Sequence, residues 1–186
     1  MSDGNDTRSG AEIAEHVELQ WAIAIGVIVA VLLAIITFTT IHWSTMPPSR
    51  VEVIDPATLH RSGEFVESNL GTGVDQRNRV IVHLLAEQYS FNPHCLVVPD
   101  GVSVTIRATS ADVVHGFQIL GTNVNTMLIP GYVSTFVMTL NGVGERAMPC
   151  HEFCGVGHAA MWATVRVVPR TEFETLIREK RRVSCG

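Results

Sequence analysis

The sequence predicts an all-β domain, an antiparallel sandwich or Greek-key barrel, behind one N-terminal membrane helix and ahead of a short C-terminal helix. Three observations predict it. Residues 21–41 contain no charged side chain. From Val80 onward the apolar residues recur with a period of two, the repeat of a strand. Turn-forming pairs such as Asn92-Pro93, Pro130-Gly131 and Asn141-Gly142 interrupt that pattern at short intervals.

In chain order, residues 1–20 form an acidic N-terminal segment, with Asp3, Asp6, Glu12, Glu15 and Glu18 against Arg8 alone. Residues 21–43 form the membrane helix. Its run from Trp21 to Ile41 would span about 31 Å, close to the ~30 Å hydrocarbon core of a bilayer. Trp21 and Trp43 bracket it, as interfacial aromatics do. A cleaved signal peptide fits less well, because its apolar region is only ~7–15 residues long and follows a basic start. A core helix of a soluble fold would show a polar face, and this run has none.

Residues 44–79 are expected to form a connector. STMPPS at 44–49 leaves the membrane, and 55–78 is polar and irregular, with Gly63, Gly71 and Gly73. Residues 80–170 hold the domain, with candidate strands at 80–86, 95–98, 102–108, 113–120, 124–129, 132–140 and 161–168. In the third of these, Val102, Val104, Ile106 and Ala108 alternate with Ser103, Thr105 and Arg107. Residues 171–186 form the C-terminal helix and tail. TEFETLIREKRR at 171–182 places Phe173, Leu176 and Ile177 on one helical face.

Composition narrows the function classes. The chain is 46% hydrophobic and 17% charged, with a net charge of −5. Its mean hydropathy is +0.25 and its pI about 5.9. Disorder needs low hydropathy and high charge, so it is excluded for most of the chain. A nucleic-acid binder would carry a basic footprint, and none is present. Most of the acidity lies in residues 1–20. The nearly neutral remainder points to an apolar rather than a charge-steered docking surface.

The chemistry concentrates in PCHEFCGVGHAAM, residues 149–161. Cys150, Cys154, His158 and Met161 place two thiols, an imidazole and a thioether within twelve residues. Soft and borderline donors of this kind suit copper. Pro149, Gly155 and Gly157 argue for a loop between strands, which can wrap its ligands around one centre. His115, just before Gly116, would add a second imidazole from a neighbouring strand. Two other readings stay open at this point. A Cys150–Cys154 disulfide explains the cysteines but not His158 or Met161. A structural zinc site of two Cys and two His is compatible, although zinc has no need of Met161.

The pattern C-x-E-x-C-G-x-G-H-x-x-M at 150–161 resembles the dinuclear copper A motif of cytochrome c oxidase subunit II. The stretch DVVHGFQILGTNVNTMLIPG at 112–131 resembles the segment that holds that family's first histidine ligand. The resemblance covers the membrane helix and about residues 80–168. Most of the family carries a two-helix hairpin. A single helix makes this chain similar to the B-type heme-copper oxidases, including the ba-type of thermophiles.

The resemblance implies a cupredoxin-like fold and a set of roles. Cys150 and Cys154 would bridge two coppers. His115 and Met161 would complete one, and His158 with the Glu152 backbone carbonyl the other. In much of the family an acid at the Glu152 position also meets a magnesium ion at the subunit I interface. The chain would accept single electrons from cytochrome c, or another small carrier, and pass them to heme in subunit I for dioxygen reduction. No dioxygen chemistry and no catalytic residue is expected in this chain itself. The implied setting is a bacterial or archaeal cytoplasmic membrane, crossed once, with the copper domain on the outer side. Charge alone does not orient it, with Arg8 on one side and Arg50 and Arg61 on the other.

A copper A subunit of a nitric oxide reductase, from the same superfamily, would show the same motif. A membrane-anchored zinc- or copper-binding assembly protein is the rival from another class.

Several residues carry narrower expectations. In B-type oxidases an acid comparable to Glu18 marks the mouth of a proton channel. A solvated acid among five is the alternative. Family members carry a Trp-containing aromatic stretch where the donor docks. Here Gln88-Tyr89-Ser90-Phe91 lacks Trp, so core packing is expected of Tyr89 and Phe91. Trp162 either lines the electron route or packs. His151 is expected at a solvent or interface position, and surface or interfacial roles are expected for His16, His42, His60, His83 and His94. Cys95 and Cys185 are expected as a packed and an exposed free thiol. A disulfide between them, which would suit an exported domain, is the alternative.

Overall fold

The structure, a computed structural model, describes residues 9–43 and 52–185. Asp3, Asp6, Arg8 and the STMPPS connector lie outside the described residues. The chain divides into two compact units, 1–50 and 51–186.

In the first unit α1 spans Gly10–Trp43, 34 residues. It starts earlier than the apolar run because the sequence provides a start signal there. The Ser9 backbone N–H donates to Glu12 Oε2 at 2.7 Å, and the Glu12 backbone N–H donates to Ser9 Oγ at 3.4 Å. This reciprocal pair is a capping box. No Gly or Pro follows between residues 11 and 20, so the helix runs through Glu15 and Glu18 into the apolar stretch. Its large apolar side chains are open on all sides; Ile28 and Leu33 are 58% and 59% exposed. A helix of this length and apolarity can cross a membrane.

The second unit contains eleven described strands and a helix. β1 is Glu52–Val53, β2 Gly71–Val74, β3 Val80–Glu87, β4 Ser90–Asn92, β5 Cys95–Pro99 and β6 Ser103–Ser110. β7 is His115–Gln118, β8 Asn125–Leu128, β9 Tyr132–Thr139, β10 Gly144–Pro149, β11 Trp162–Val168, and α2 is Arg170–Glu179. One sheet runs β1-β9-β6-β3-β2, with β4 also on β3; a second runs β10-β11-β5; β7 and β8 pair as a small third. The inward residues of the sheets share one core. Val82, Leu84, Ile106, Phe117, Leu128, Leu96, Val98 and Val165 are all fully buried within it. Each such side chain contributes about 1.5–3 kcal/mol on burial. The Phe117 ring meets Phe91 and Phe136 at 5.8 and 5.6 Å between centroids.

The architecture is the predicted sandwich, with five differences. First, β3 pairs β6 and β5 pairs β11 in parallel, so both larger sheets are mixed. The intervening β4 and β5 carry the chain across before it returns as β6. Second, the domain begins well before residue 80. Leu59, Phe65 and Leu70 form a small core with Leu85, and β2 pairs with β3. Third, α2 stops at Glu179. The tail leaves it extended, and Val183 bridges Thr72 while Ser184 bridges Leu96.

Fourth, Cys95 and Cys185 are not free thiols. They form a disulfide, with Cα atoms 5.3 Å apart across a separation of 90 residues. The extended tail makes this pairing, because it lies beside β5, where Cys95 sits. Fifth, His83 is not a surface histidine. It is 6% exposed, with Nε2 3.3 Å from Glu64 Oε2 and Nδ1 3.0 Å from Arg182 Nη2. Arg107 spans Glu64 and Glu52 in the same network.

Candidate metal centre

The loop between β10 and β11 carries five of the six expected donors. Cys150 follows β10 directly, and Met161 immediately precedes β11. The Cys150 backbone N–H donates to the Met161 carbonyl at 3.0 Å and closes the base of the loop. His115, the first residue of β7, supplies the sixth. These positions follow from the register. Pro149 pairs with Trp162 across the β10–β11 ladder, so the twelve residues beyond must fold back above it.

The donors surround two free, buried sulfurs. Cys150 Sγ and Cys154 Sγ are 3.8 Å apart. His115 Nδ1 lies 3.9 Å from Cys150 Sγ, and the Glu152 carbonyl oxygen 3.2 Å from it. His158 Nδ1 and Met161 Sδ each lie 3.6 Å from Cys154 Sγ. His115 and Met161 are fully buried, Cys150 and Cys154 nearly so, and His158 and Glu152 stand half-buried at the rim. The sulfurs are too far apart for the ~2.05 Å bond of a disulfide. Two thiolates about 2.3 Å from a shared ion span roughly this distance.

Two glycines of the motif have a steric reason. A Cβ on Gly157 would lie 2.5 Å from the Tyr89 ring, and one on Gly116 would lie 2.6 Å from the Glu152 backbone nitrogen. The loop closes over Tyr89 and against β7 only because both positions lack a side chain.

The surrounding groups prepare the donors. His115 Nε2 lies 2.8 Å from Asp112 Oδ1. Donation of the Nε2 proton to this carboxylate leaves the Nδ1 lone pair facing the sulfurs. Burial opposes ionisation of Asp112. Hydrogen bonds from His115 and from the Gln88 and Val113 backbones outweigh it and hold the carboxyl below its usual range. Burial pushes the Cys154 thiol up to about 11, and the neighbouring Cys150 adds to the rise. The Cys154 thiol therefore stays protonated until a cation displaces the proton.

The remaining expected residues fall outside the donor set. His151 is exposed, and its backbone N–H donates to the Gly116 carbonyl at 3.3 Å. Phe91 is in the core. Tyr89 is 39% exposed, and its ring is the seat of the ligand loop. Trp162 is 49% exposed beside buried Met161, and its Nε1 donates to the Ala159 carbonyl at 3.0 Å. Phe153 and Val156 stand out from the loop, 75% and 99% exposed. Asp112 and Gln88 support the site without being among the expected donors, and Tyr89, expected only to pack, seats the ligand loop. Only Asp112, three residues before His115, carried a sequence signal.

As a set, the donors are two thiols, a thioether, two imidazoles and a carbonyl. Tetrahedral zinc takes four ligands and makes no use of a thioether. The softness and number of these donors fit copper.

Comparison with known proteins agrees. The family profile described as "Cytochrome C oxidase subunit II, periplasmic domain" matches residues 85–168. Two cytochrome c oxidase subunit 2 chains of Thermus thermophilus are each 33% identical. One aligns over 139 residues, 74% of this chain and 83% of the relative. The other aligns over 131, 70% of this chain and 97% of the relative. Among solved structures, a chain of a heme-copper terminal oxidase dimer is similar with a TM-score of 0.57 and 28% identity. That match covers 83% of this chain and 99% of the other.

Proposed function

The chain belongs to the cytochrome c oxidase subunit II family, and from that premise we propose that it receives single electrons from cytochrome c at a dinuclear copper centre and passes them to heme in subunit I. Family membership makes it the copper-bearing subunit through which electrons enter a heme-copper oxidase complex, held by one membrane helix. Cytochrome c as donor, the number of coppers, magnesium at Glu152 and the side of the membrane belong to the proposal.

The observation that carries the reading is the convergence of four further donors on two free thiols 3.8 Å apart. Cys150 and Cys154 would bridge two coppers, His115 and Met161 complete one, and His158 and the Glu152 carbonyl the other. When bound, the copper pair supplies one-electron redox chemistry with the charge change shared over two metals. The chain's own residues do the rest. Asp112 fixes the His115 tautomer. The β10–β11 ladder holds the loop base at a constant width. Buried Met161 and Phe91 keep water from the inner side. Phe153, Val156 and Trp162 present an apolar, exposed surface on the outer side, suited to a carrier that docks without strong charge steering. Glu18, within the continuous helix α1, remains the candidate mouth of a proton path. The Cys95–Cys185 bond supports an oxidising, extracytoplasmic location for the domain.

The named relatives are oxidase subunits, which favours oxidase over nitric oxide reductase. The reading is tested by copper content and colour. Full-length chain with Cys150 and Cys154 free and the Cys95–Cys185 bond intact, titrated with copper, should take up about two ions per chain and turn purple, as the bridging of two soft ions by Cys150 and Cys154 requires. Uptake of one ion, or a colourless zinc-loaded protein, would contradict it.

A further inference from the structure

We infer that Gln88 is a positioning residue that ties the two halves of the ligand set together, an inference that rests on the copper reading above. The set has two structural origins. His115 comes from β7, and the other five donors come from the β10–β11 loop. Gln88 belongs to neither, lies in the turn between β3 and β4, and is exposed.

It touches both halves. Its backbone N–H donates to Asp112 Oδ2 at 2.7 Å. The other oxygen of that carboxylate holds His115 Nε2. Its side-chain Nε2 donates to the Cys154 carbonyl. One residue therefore fixes the imidazole on one side and the bridging cysteine's backbone on the other. Tyr89, its neighbour, supports the same loop from beneath, against Gly155 and Gly157.

This bond matters because the loop has little ladder of its own. Between the Cys150–Met161 closure and the turn at His158–Ala160, Cys154 sits on irregular backbone. An electron-transfer centre works best when its ligands hardly move between redox states. A hydrogen bond from outside the loop supplies that restraint. The amide points its positive end at the Cys154 carbonyl, and a positive dipole end held this close to an electron-accepting centre favours its reduced form and raises the potential.

Gln88→Met keeps the length of the side chain and removes the donor. Gln88→Glu keeps the shape and replaces the donor by an acceptor. Both retain the backbone N–H to Asp112, and an exposed residue leaves the core intact. Hydrogen exchange on the copper-free full chain in detergent should show the His158, Ala160 and Met161 amides opening about three- to tenfold faster in both variants. The β3–β6 ladder should be unchanged. The copper-loaded Gln88→Met chain should have a lower midpoint potential than the parent.

Loop exchange within about twofold of the parent, or a rise spread equally over the β3–β6 ladder, would overturn the inference. Faster loop exchange beside an unchanged potential would overturn its link to the centre. If the parent chain binds no copper, the copper reading falls alone, because the exchange measurement on the copper-free chain still decides whether Gln88 restrains the loop.

Discussion

The molecule contains two pairs of cysteines with opposite fates. Cys150 and Cys154 lie four residues apart on one loop, buried and unbonded. Cys95 and Cys185 lie 90 residues apart and are joined. Sequence distance predicts the reverse, since close neighbours meet more often. The surroundings decide instead. The loop pair faces two imidazoles, a thioether and a carbonyl, all within 3.2–3.9 Å of one sulfur or the other. Such a shell offers lone pairs to a cation. Among the described residues, the polar contact of the tail pair's sulfurs is the Leu96 carbonyl, at 3.9 Å from each. No imidazole or thioether among those contacts competes with a bond between them. On the proposed reading, one pair holds metal, while the other holds chain.

Breaking each pair in turn tests that contrast. The largest effect is expected from Cys154→Ser, which should abolish the copper centre while leaving the Cys95–Cys185 bond in place. A purple spectrum surviving in that variant would contradict the bridging role. Cys185→Ser should act in the opposite sense. It should cost about 2–4 kcal/mol of stability by freeing a long loop in the unfolded chain. The melting temperature should fall by roughly 10 °C, with the visible spectrum unchanged. A changed spectrum would show that the two pairs are coupled.

Asp112→Asn sharpens the contrast on the metal side alone. Loss of the carboxylate behind His115 should weaken copper affinity by about 10–100-fold, read by competition with a chelator. Thermal stability of the copper-free chain should change little.

The smallest effect is a pH dependence on the tail side. Burial raises the Glu64 pKa, but Arg107 and His83 outweigh it and bring the group down from 4.5 to about 2. A lowered folded-state pKa means a contribution that is complete above about pH 4.5 and lost as pH falls through about 2. Converted at ~1.4 kcal/mol per unit, the limit is about 3–4 kcal/mol. Solvent screening of this partly exposed group brings it nearer about 1 kcal/mol. Acid unfolding of Glu64→Gln should lack this component between pH 4.5 and 2. An identical acid profile in the variant would remove Glu64 from the account.

The same contrast explains what could be read in advance. The proposed donors of the loop stand out in the sequence because metal chemistry demands particular residue types at close spacing, and five of the six lie within residues 150–161. The membrane helix was legible from the length of its apolar run alone. Its true start was marked by Ser9 and Glu12, a signal four residues long that the acidic composition obscured. The β6 strand was legible because one face is core and the other is not.

Strands β2 and β10, GTGV and GERAMP, were not legible. Glycines weaken the first as a pattern, and the second is mostly polar along its outer half. The parallel pairings, the buried His83 and the Cys95–Cys185 bond depend on contacts tens of residues apart. Period and spacing carry no record of such contacts. Gln88 was hidden for the same reason, since its partners Asp112 and Cys154 lie 24 and 66 residues away.

The central claim is that two thiolates share two coppers, and electron-spin resonance of the copper-loaded full chain tests it most directly. One unpaired electron shared equally by two copper nuclei gives a seven-line hyperfine pattern, and that is the predicted result. A four-line pattern, from an electron confined to one copper, would contradict the account.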